Sequence, residues 1–391
     1  MTHQKEHTGI ELALEEIIAN GMNGLESAVA LLINEAMKIE RNRMIRAEPW
    51  QRTEDRIGYA NGYKPRSLNT RVGALDLQIP QVRGGISFTP KALDRGLRSE
   101  RALKLAIAEM YIKGVSTRKV CDVMETLCGL EVTSSEVSRC TKLLDDELEK
   151  WRNRPIGSIK YLILDARYEK VRRDGAVSSC AVLIAAGVQN DGKRIILGTS
   201  VSLSEAEVHW RQFLSSLKKR GMHGLEMICS DDHEGLKAAL KATFSGVPWN
   251  RCQVHLQRNA SAYVPKAHMR AEVAQDIRDI FNAPKLEEAE RLLELTVKKY
   301  RSSANRLASW MEENLPEGFS VFKLPGHHRR RVRTTNMLER INKEIKRRTR
   351  VATLFPNEAS LLRLVSAILM EISEEWETGK NYLNSSSGET C

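Results

Sequence analysis

No stretch of this 391-residue chain approaches the roughly 18 consecutive apolar residues of a membrane span. Its first residues do not combine a basic start with an apolar segment, so no secretory leader is legible. These absences point to a cytoplasmic protein. Cysteine is sparse as well: Cys121, Cys128, Cys140, Cys180, Cys229, Cys252 and Cys391 are odd in number and scattered. Most sit in apolar helical or strand patterns, which fits reduced thiols and excludes a disulfide framework. Cys252-Gln-Val-His255 has the spacing of half a zinc site, but no second C-x2-H or C-x2-C pair completes four ligands, so zinc is not expected. Acid is short relative to base, with 61 Lys or Arg against 50 Asp or Glu and a formal charge of +11. That balance favours a polyanionic partner.

The basic excess is local. Between Lys323 and Arg350 stand eleven Lys or Arg and two Glu, an excess of nine out of the whole +11. With 41% hydrophobic residues, the chain can bury a full core and has room for two or three modules.

Periodicity divides the chain. Over 1–50, Leu12, Leu14, Ile17, Ile18, Leu25, Val29, Leu32, Ile33 and Met37 recur at helical spacing. They predict two helices broken at Gly21, with a stripe that is either core or a dimer seam. Over 51–97, glycines punctuate the chain and Val72, Leu75, Leu77 and Ile79 nearly alternate, predicting a small β module. Arg52, Arg56, Lys64, Arg66, Arg71 and Arg83 surround it, either as a solvated face or as a DNA contact. Residues 98–154 read as three helices, the third opening with a Thr133 to Glu136 capping box. In a helix-turn-helix the start of that helix would offer Ser134, Ser135, Ser138 and Arg139 to the major groove. Three packed helices with no nucleic-acid role would give the same pattern.

From 155 to 256 the pattern turns to strands. Three apolar runs are separated by Asp174-Gly175 and Asp191-Gly192, both hairpin signals. Strands and helices then alternate, which calls for parallel pairing on the far side of the same sheet. This is the order of ribonuclease-H-like domains. Residues 257–325 read as a helical insertion, 326–380 as the last part of the core, and 381–391 as a polar tail.

In this reading Asp165 ends the first strand and Asp231 ends the fourth, so the two carboxylates converge if the strands are neighbours. Carboxylate oxygens suit Mg²⁺ or Mn²⁺. Glu339 lies on a helix whose apolar stripe is Met337, Leu338, Ile341 and Ile345, and it shares another face with Asn336, Asn342, Lys343 and Lys346. It is either an i,i+4 partner of Lys343 or a third metal ligand beside phosphate. Arg329, Arg330, Arg331, Arg333, Lys343, Lys346, Arg347 and Arg348 are candidate DNA contacts, with the doublet His327-His328 beside them. Cys252 and His255 are expected at the end of the last strand, His255 near the metals.

The runs YLILDARYEKVR, ICSDDHEGLKAAL, WNRCQVHLQRN and TTNMLERINKEIKRRTRV resemble successive signatures of the Mutator-type transposases of bacterial insertion sequences. GYANGYKPRSLNTRVGALDLQIPQVR and EMYIKGVSTRKV upstream resemble the same family, so the likeness spans roughly residues 50 to 365. The resemblance implies a ribonuclease-H-like fold with a helical insertion before the glutamate, and a DDE triad of Asp165, Asp231 and Glu339. Cys252 and His255 match its C-x2-H signature. It further implies Mg²⁺-dependent cleavage and strand transfer, recognition of terminal inverted repeats by the N-terminal part, at least a dimer on DNA, and residence at the bacterial nucleoid. Of Asp231 and Asp232, Asp231 directly follows the strand, and neighbours on a strand point oppositely. Rival readings are a non-catalytic DNA-binding repressor and another ribonuclease-H-like nuclease acting on branched DNA or RNA.

Overall fold

The fold, seen in a computed structural model, is described for residues 9–91, 93, 101–350 and 354–383. The polar stretch 384–391 and the residues from 94 to 100 lie outside these. The chain divides into two compact units, Met1–Leu143 and Leu144–Cys391.

In the first unit, α1 (Gly9–Asn20) and α2 (Leu25–Ile45) are joined by a tight turn entered at Gly21, whose φ of +58° favours glycine. α2 packs on the hairpin of β1 (Tyr59–Thr70) and β2 (Gly73–Arg83). Met37, Val29 and Ile33 from the helix meet Leu75, Leu77 and Ile79, every second residue of β2. The Asn34 side chain pins the contact by accepting the Gln78 N–H at 2.8 Å. Along α2 the stripe is therefore core at Val29, Ile33 and Met37, while Leu32 is exposed. On α1 it stays open, with Leu14 and Ile18 exposed. α3 (Arg101–Ile112), α4 (Thr117–Cys128) and α5 (Ser134–Thr141) follow. Ser116 caps α4, and Thr133 and Glu136 form the capping box of α5. The third expected helix ends early. After a 3₁₀ turn, α6 (Asp145–Arg152) belongs to the second unit, where Asp145 takes a two-pronged bond from Arg363.

The second unit is built on β3 (Tyr161–Arg173), β4 (Ala176–Val188) and β5 (Arg194–Ser202), then α7 (Glu207–Lys219), β6 (Met227–Ser230), α8 (Glu234–Thr243) and β7 (Trp249–Arg251). The sheet order is β5-β4-β3-β6-β7: the first three strands pair antiparallel, while β6 and β7 join parallel. Asp174, with φ of 48°, and Gly175 make the first hairpin turn. On one face, Trp210, Phe213, Leu214 and Leu217 of α7 and Leu236 and Leu240 of α8 cover Leu162, Leu164 and Leu183.

α9 (Gln253–Ala260), α10 (Arg270–Phe281), α11 (Leu286–Tyr300) and α12 (Asn305–Asn314) form a helical block with its own core, including Leu256, Ile277, Phe281, Leu307 and Met311. α13 (Gly326–Val332), α14 (Asn336–Thr349) and α15 (Glu358–Thr378) return to the sheet, α14 against β3 and α15 along β5. Among the described residues no helix is long and apolar enough to cross a membrane.

α14 is fastened to α15 by charge. Arg348 is 7% exposed; it donates to Glu344 and to Glu371, both at 2.7 Å, and Arg347 also grips Glu344. The bonds from Arg347, then those from Arg348, hold the Glu344 carboxyl down at about 2, with burial opposing. A depressed carboxylate contributes stability that is fully present above its ordinary value near 4.5 and is lost as pH falls towards about 2. Glu344→Gln should therefore melt about 2–4 °C below wild type at pH 7. Thermal melts between pH 7 and pH 2 should show that gap closing below pH 4.5; a pH-independent gap would mean the charge is not its source.

Candidate active site

Parallel pairing brings two carboxylates to one edge of the sheet. β3 and β6 match at Tyr161↔Met227, Leu162↔Ile228 and Ile163↔Cys229. Asp165 and Asp231 each stand two residues beyond the last of these pairs, at the same level. β3 does not stop at Asp165, contrary to the sequence expectation: it runs to Arg173 because β4 pairs with it throughout. What ends near Asp165 is the pairing with β6. Cys252 directly follows β7 at this edge. The carboxyl ends of parallel strands are where α/β sheets leave a crevice for ligands.

Leu162 and Leu164 point into the core under α7, so alternation turns Asp165 to the opposite face, towards α14. There the Asn342 amide donates to Asp165 Oδ2 at 2.8 Å and the Ala166 N–H donates to Oδ1 at 2.9 Å. Arg167 donates to the Asn342 carbonyl at 2.8 Å. Burial pushes the Asp165 carboxyl up to about 6; His255 and the Ala166 N–H pull it down, and Asp231 and Glu205 push it further up.

Asp231 and Asp232 are differently placed. Asp232 is bound to Lys237 and to Arg251, each at 3.0 Å, and Glu317 closes the network at 2.8 and 2.9 Å. Asp231 instead lies 3.7 Å from His255 Nδ1. Glu339, in the first turn of α14, stands 3.8 Å from His255 Nε2 and 3.2 Å from Arg258. Its described ion pairs are thus with α9, not with Lys343 one turn along its own helix.

His255 is the centre of the group. The Cys252 sulfur beside the ring raises it to about 9, against burial, with help from Asp231 and Asp165. Burial raises the Cys252 thiol, but His255 and Thr335 outweigh it and the net shift is downward. Cys252 is also a fastening. Its sulfur accepts from the Thr335 N–H at 3.3 Å and the Thr335 hydroxyl at 3.4 Å, tying the end of β7 to the start of α14. The Gln253 N–H, bonded to the Arg333 carbonyl at 3.1 Å, doubles the tie.

Asp165, Asp231 and Glu339 offer the hard oxygen donors that Mg²⁺ or Mn²⁺ takes. Two buried atoms here lack hydrogen-bond partners among the described residues, Asn342 Oδ1 and His255 Nδ1. The donor set therefore fits a divalent cation in chemistry. Among the described residues, no three His, Cys, Asp or Glu side chains stand close enough to hold a metal as they lie, so the carboxylates would have to turn inward.

The basic segment divides in two. Arg329 donates to the carbonyls of Ala283 and Pro284, and Arg333 to Phe281 O and Asn282 Oδ1. These groups lie at and just beyond the end of α10, where helix carbonyls lack partners. Arg329, Arg333 and the ion-paired Arg348 thus bond oxygens of the protein itself, which leaves them fewer donors for DNA than the exposed residues of the segment. His328 is likewise engaged: it is buried and shares a 2.7 Å hydrogen bond with the Tyr161 hydroxyl. Arg330, Arg331, Lys343, Lys346 and Arg347 are exposed, although Arg347 also pairs with Glu344. Ser134, Ser135, Ser138 and Arg139 are exposed on α5. The sequence reading missed Arg258, three residues after His255 and so on the same helix face, and the role of Asn342, three residues after Glu339.

The description "Transposase, Mutator family" matches residues 1–379. A transposase for insertion sequence element IS406 of Burkholderia multivorans is 51% identical over 386 residues, covering 98% of this chain and 99% of that protein. The transposase for ISRM5 of Rhizobium meliloti is 41% identical, covering 95% and 93%. The transposase for IS256 in transposon Tn4001 of Staphylococcus aureus is 35% identical, covering 92% and 93%. A solved chain from a simian T-cell lymphotropic virus intasome in complex with PP2A regulatory subunit B56 gamma overlaps at a TM-score of 0.18 and 11% identity, over 52% of this chain and 64% of that one, too slight a likeness to bear on the fold. With the family description spanning nearly its whole length and such relatives matching end to end, the chain belongs to the Mutator family of transposases.

Proposed function

We propose that the protein binds the terminal inverted repeats of its own insertion sequence, cuts at their ends and joins them to target DNA, with Asp165, Asp231 and Glu339 as catalytic carboxylates on a ribonuclease-H-like core. One observation carries this reading: carboxylates from β3, from the turn after β6 and from α14 gather about the cationic His255 at the carboxyl edge of the parallel strands. The order of three antiparallel strands followed by two parallel ones supports the core assignment. The helical block between β7 and α13 stands where an insertion before the glutamate is expected.

Asp165, Asp231 and Glu339 would hold Mg²⁺, or Mn²⁺ in its place. When bound, such ions activate the attacking oxygen and take up charge on the leaving one, so no covalent enzyme intermediate is needed. The chain's own residues set the geometry. The Ala166 N–H and the Asn342 amide fix the plane of the Asp165 carboxylate. The Asp232, Arg251 and Glu317 network holds the turn that presents Asp231, and the Cys252 to Thr335 tie holds the helix that presents Glu339. Exposed Lys343, Lys346, Arg330 and Arg331 would take backbone phosphates, which position DNA without reading it. In the first unit, Ser134, Ser138 and Arg139 would face the repeat. Two ends must be paired, so at least a dimer acts on DNA, with the open apolar face of α1 as a candidate seam.

Purified protein with Mg²⁺ and labelled DNA carrying the repeats that flank its gene should nick at the repeat ends and join strands. Glu339→Gln keeps the size but removes the charge; it should bind while cleaving at least about a hundredfold more slowly. Wild type that binds without cutting in Mg²⁺ or Mn²⁺ would make the protein a repressor. Cutting of branched DNA or RNA without regard to the repeats would make it another nuclease.

The adjacent aspartates give a second test. Asp231→Asn should abolish cleavage with little change in melting temperature. Asp232→Asn should retain cleavage but lose about 1–3 kcal/mol of stability, because it leaves the buried Arg251 short of a partner. Cleavage assays and melts on both variants decide it, and the reverse pattern would exchange the two assignments.

A further inference from the structure

A second charged feature of the catalytic unit is a recess of about 360 Å³ lined by Arg194, Arg330, Arg331, Asn336, Arg340 and Tyr382. Arg194 opens β5, and the others come from α13, α14 and the segment after α15. We propose that this recess binds a phosphodiester group of the transposon-end DNA and so sets the register of the strand against the carboxylates. The inference rests on the transposase reading and deepens it.

Four guanidinium groups meet here, and among the described residues none is paired with a carboxylate. This separates them from Arg348, which is paired with Glu344 and Glu371, and from Arg329 and Arg333, each of which bonds oxygens at or beyond the end of α10. Arg194 is held by its flat faces, 4.4 Å from the Trp376 ring and 5.0 Å from the Tyr382 ring. Stacking of this kind occupies the faces of a guanidinium and leaves its in-plane N–H groups free, the fork that matches phosphate oxygens. Arg331 lies 5.3 Å from the same Tyr382 ring, whose hydroxyl donates to the Arg331 carbonyl at 3.0 Å. The aromatic wall thus orients two of the four arginines. Burial lowers the Arg194 pKa; Tyr382 opposes the shift, while the nearby Arg340 and Arg331 add to it.

The start of α14 adds a second, independent attraction. Its N-cap residue Thr335 makes no side-chain cap bond, and Thr334 and Asn336 line the recess. Uncapped N–H groups and the positive end of a 14-residue helix favour an anion at this spot.

The position on α14 points to DNA rather than to a free anion. At about 1.5 Å of rise per residue, Asn336 and Arg340 lie within about 5 Å of Glu339 along the helix axis, less than two nucleotide steps. At about 100° per residue, Arg340 and Glu339 nevertheless leave the helix in different directions, so the recess is distinct from the carboxylate group. A strand gripped here passes Glu339 at a fixed offset.

The test is the salt dependence of binding to duplex DNA carrying the inverted repeat, measured by fluorescence anisotropy with the full chain. Losing one phosphate contact should reduce the slope of log K against log salt by about 0.9 and weaken binding about tenfold at 0.1 M salt. Arg194→Gln and Arg340→Gln should each show this. Arg340 is exposed, so its variant remains informative even if Arg194→Gln fails to fold. Arg211→Gln, at an exposed position paired with Glu207 on α7, should leave the slope unchanged. Wild-type slopes in the folded recess variants, alongside normal end cleavage by wild type, overturn the phosphate site and leave the transposase reading intact. A wild type that does not bind the repeat overturns both.

Discussion

Carboxylates gathered at one edge of a sheet, one of them largely buried, call for a compensating positive charge, and the second unit is arranged around that constraint. Like charges a few ångströms apart raise one another's pKa, and burial raises them further. Asp165 shows this directly, at about 6 with burial as the leading cause and Asp231 contributing. His255 supplies the compensation, within 4 Å of both Asp231 and Glu339. It is kept cationic by Cys252, which in turn fastens α14 to the end of β7. Position and charge thus depend on the same two residues. Moving Cys252 would shift the start of the glutamate helix and also lower the imidazole's affinity for its proton.

That arrangement also fits the chemistry proposed for the site. A divalent cation would find Asp165 already oriented by hydrogen bonds, would require Asp231 and Glu339 to turn towards it, and could replace the imidazolium as the neutralising charge. The Asn342 amide bonds Asp165 through its nitrogen, and its oxygen is buried and unpartnered. Deprotonating His255 would weaken the hold on Asp231 and Glu339 but would also make room for a metal. If the site takes a metal as proposed, its binding would be coupled to proton release, a general feature of carboxylate and imidazole sites.

Much of this was legible in the sequence because it is carried by local patterns. Asp174-Gly175 announced the first hairpin, and the alternation of strands with helices after 202 announced the parallel side of the sheet. What was not legible depends on contacts between distant segments. That β3 continues past Asp165 was implied by the hairpin at Asp174-Gly175 but not by the alternation of its own residues, because the extension rests on pairing with β4 along its whole length. The helix predicted from Thr133 onwards is broken near Lys142 because its second half packs on α15, more than 200 residues away. The choice between Asp231 and Asp232 could be argued from strand alternation, but the ion pairs that occupy Asp232 come from Arg251 and Glu317, which no spacing rule connects to it.

The basic segment shows why a charge count is a poor measure of a nucleic-acid surface. Eleven Lys or Arg lie between Lys323 and Arg350, yet helical spacing sorts them by task. Arg329 and Arg333, four residues apart on one face of α13 and its end, bond the last carbonyl of α10 and oxygens of the three residues after it, and so dock the helical block. Arg330 and Arg331, between them, face outward. On α14, Arg348 turns inward to Glu344 and Glu371, while Lys343 and Lys346 remain in solvent. A guanidinium whose donors already bond protein oxygens has less to offer phosphate, and removing it costs stability before it costs affinity. The residues free to neutralise DNA are therefore fewer than the net charge suggests. Because they lie on the helices that carry and precede Glu339, each phosphate they took in the proposed reaction would also help to place the strand at the carboxylates.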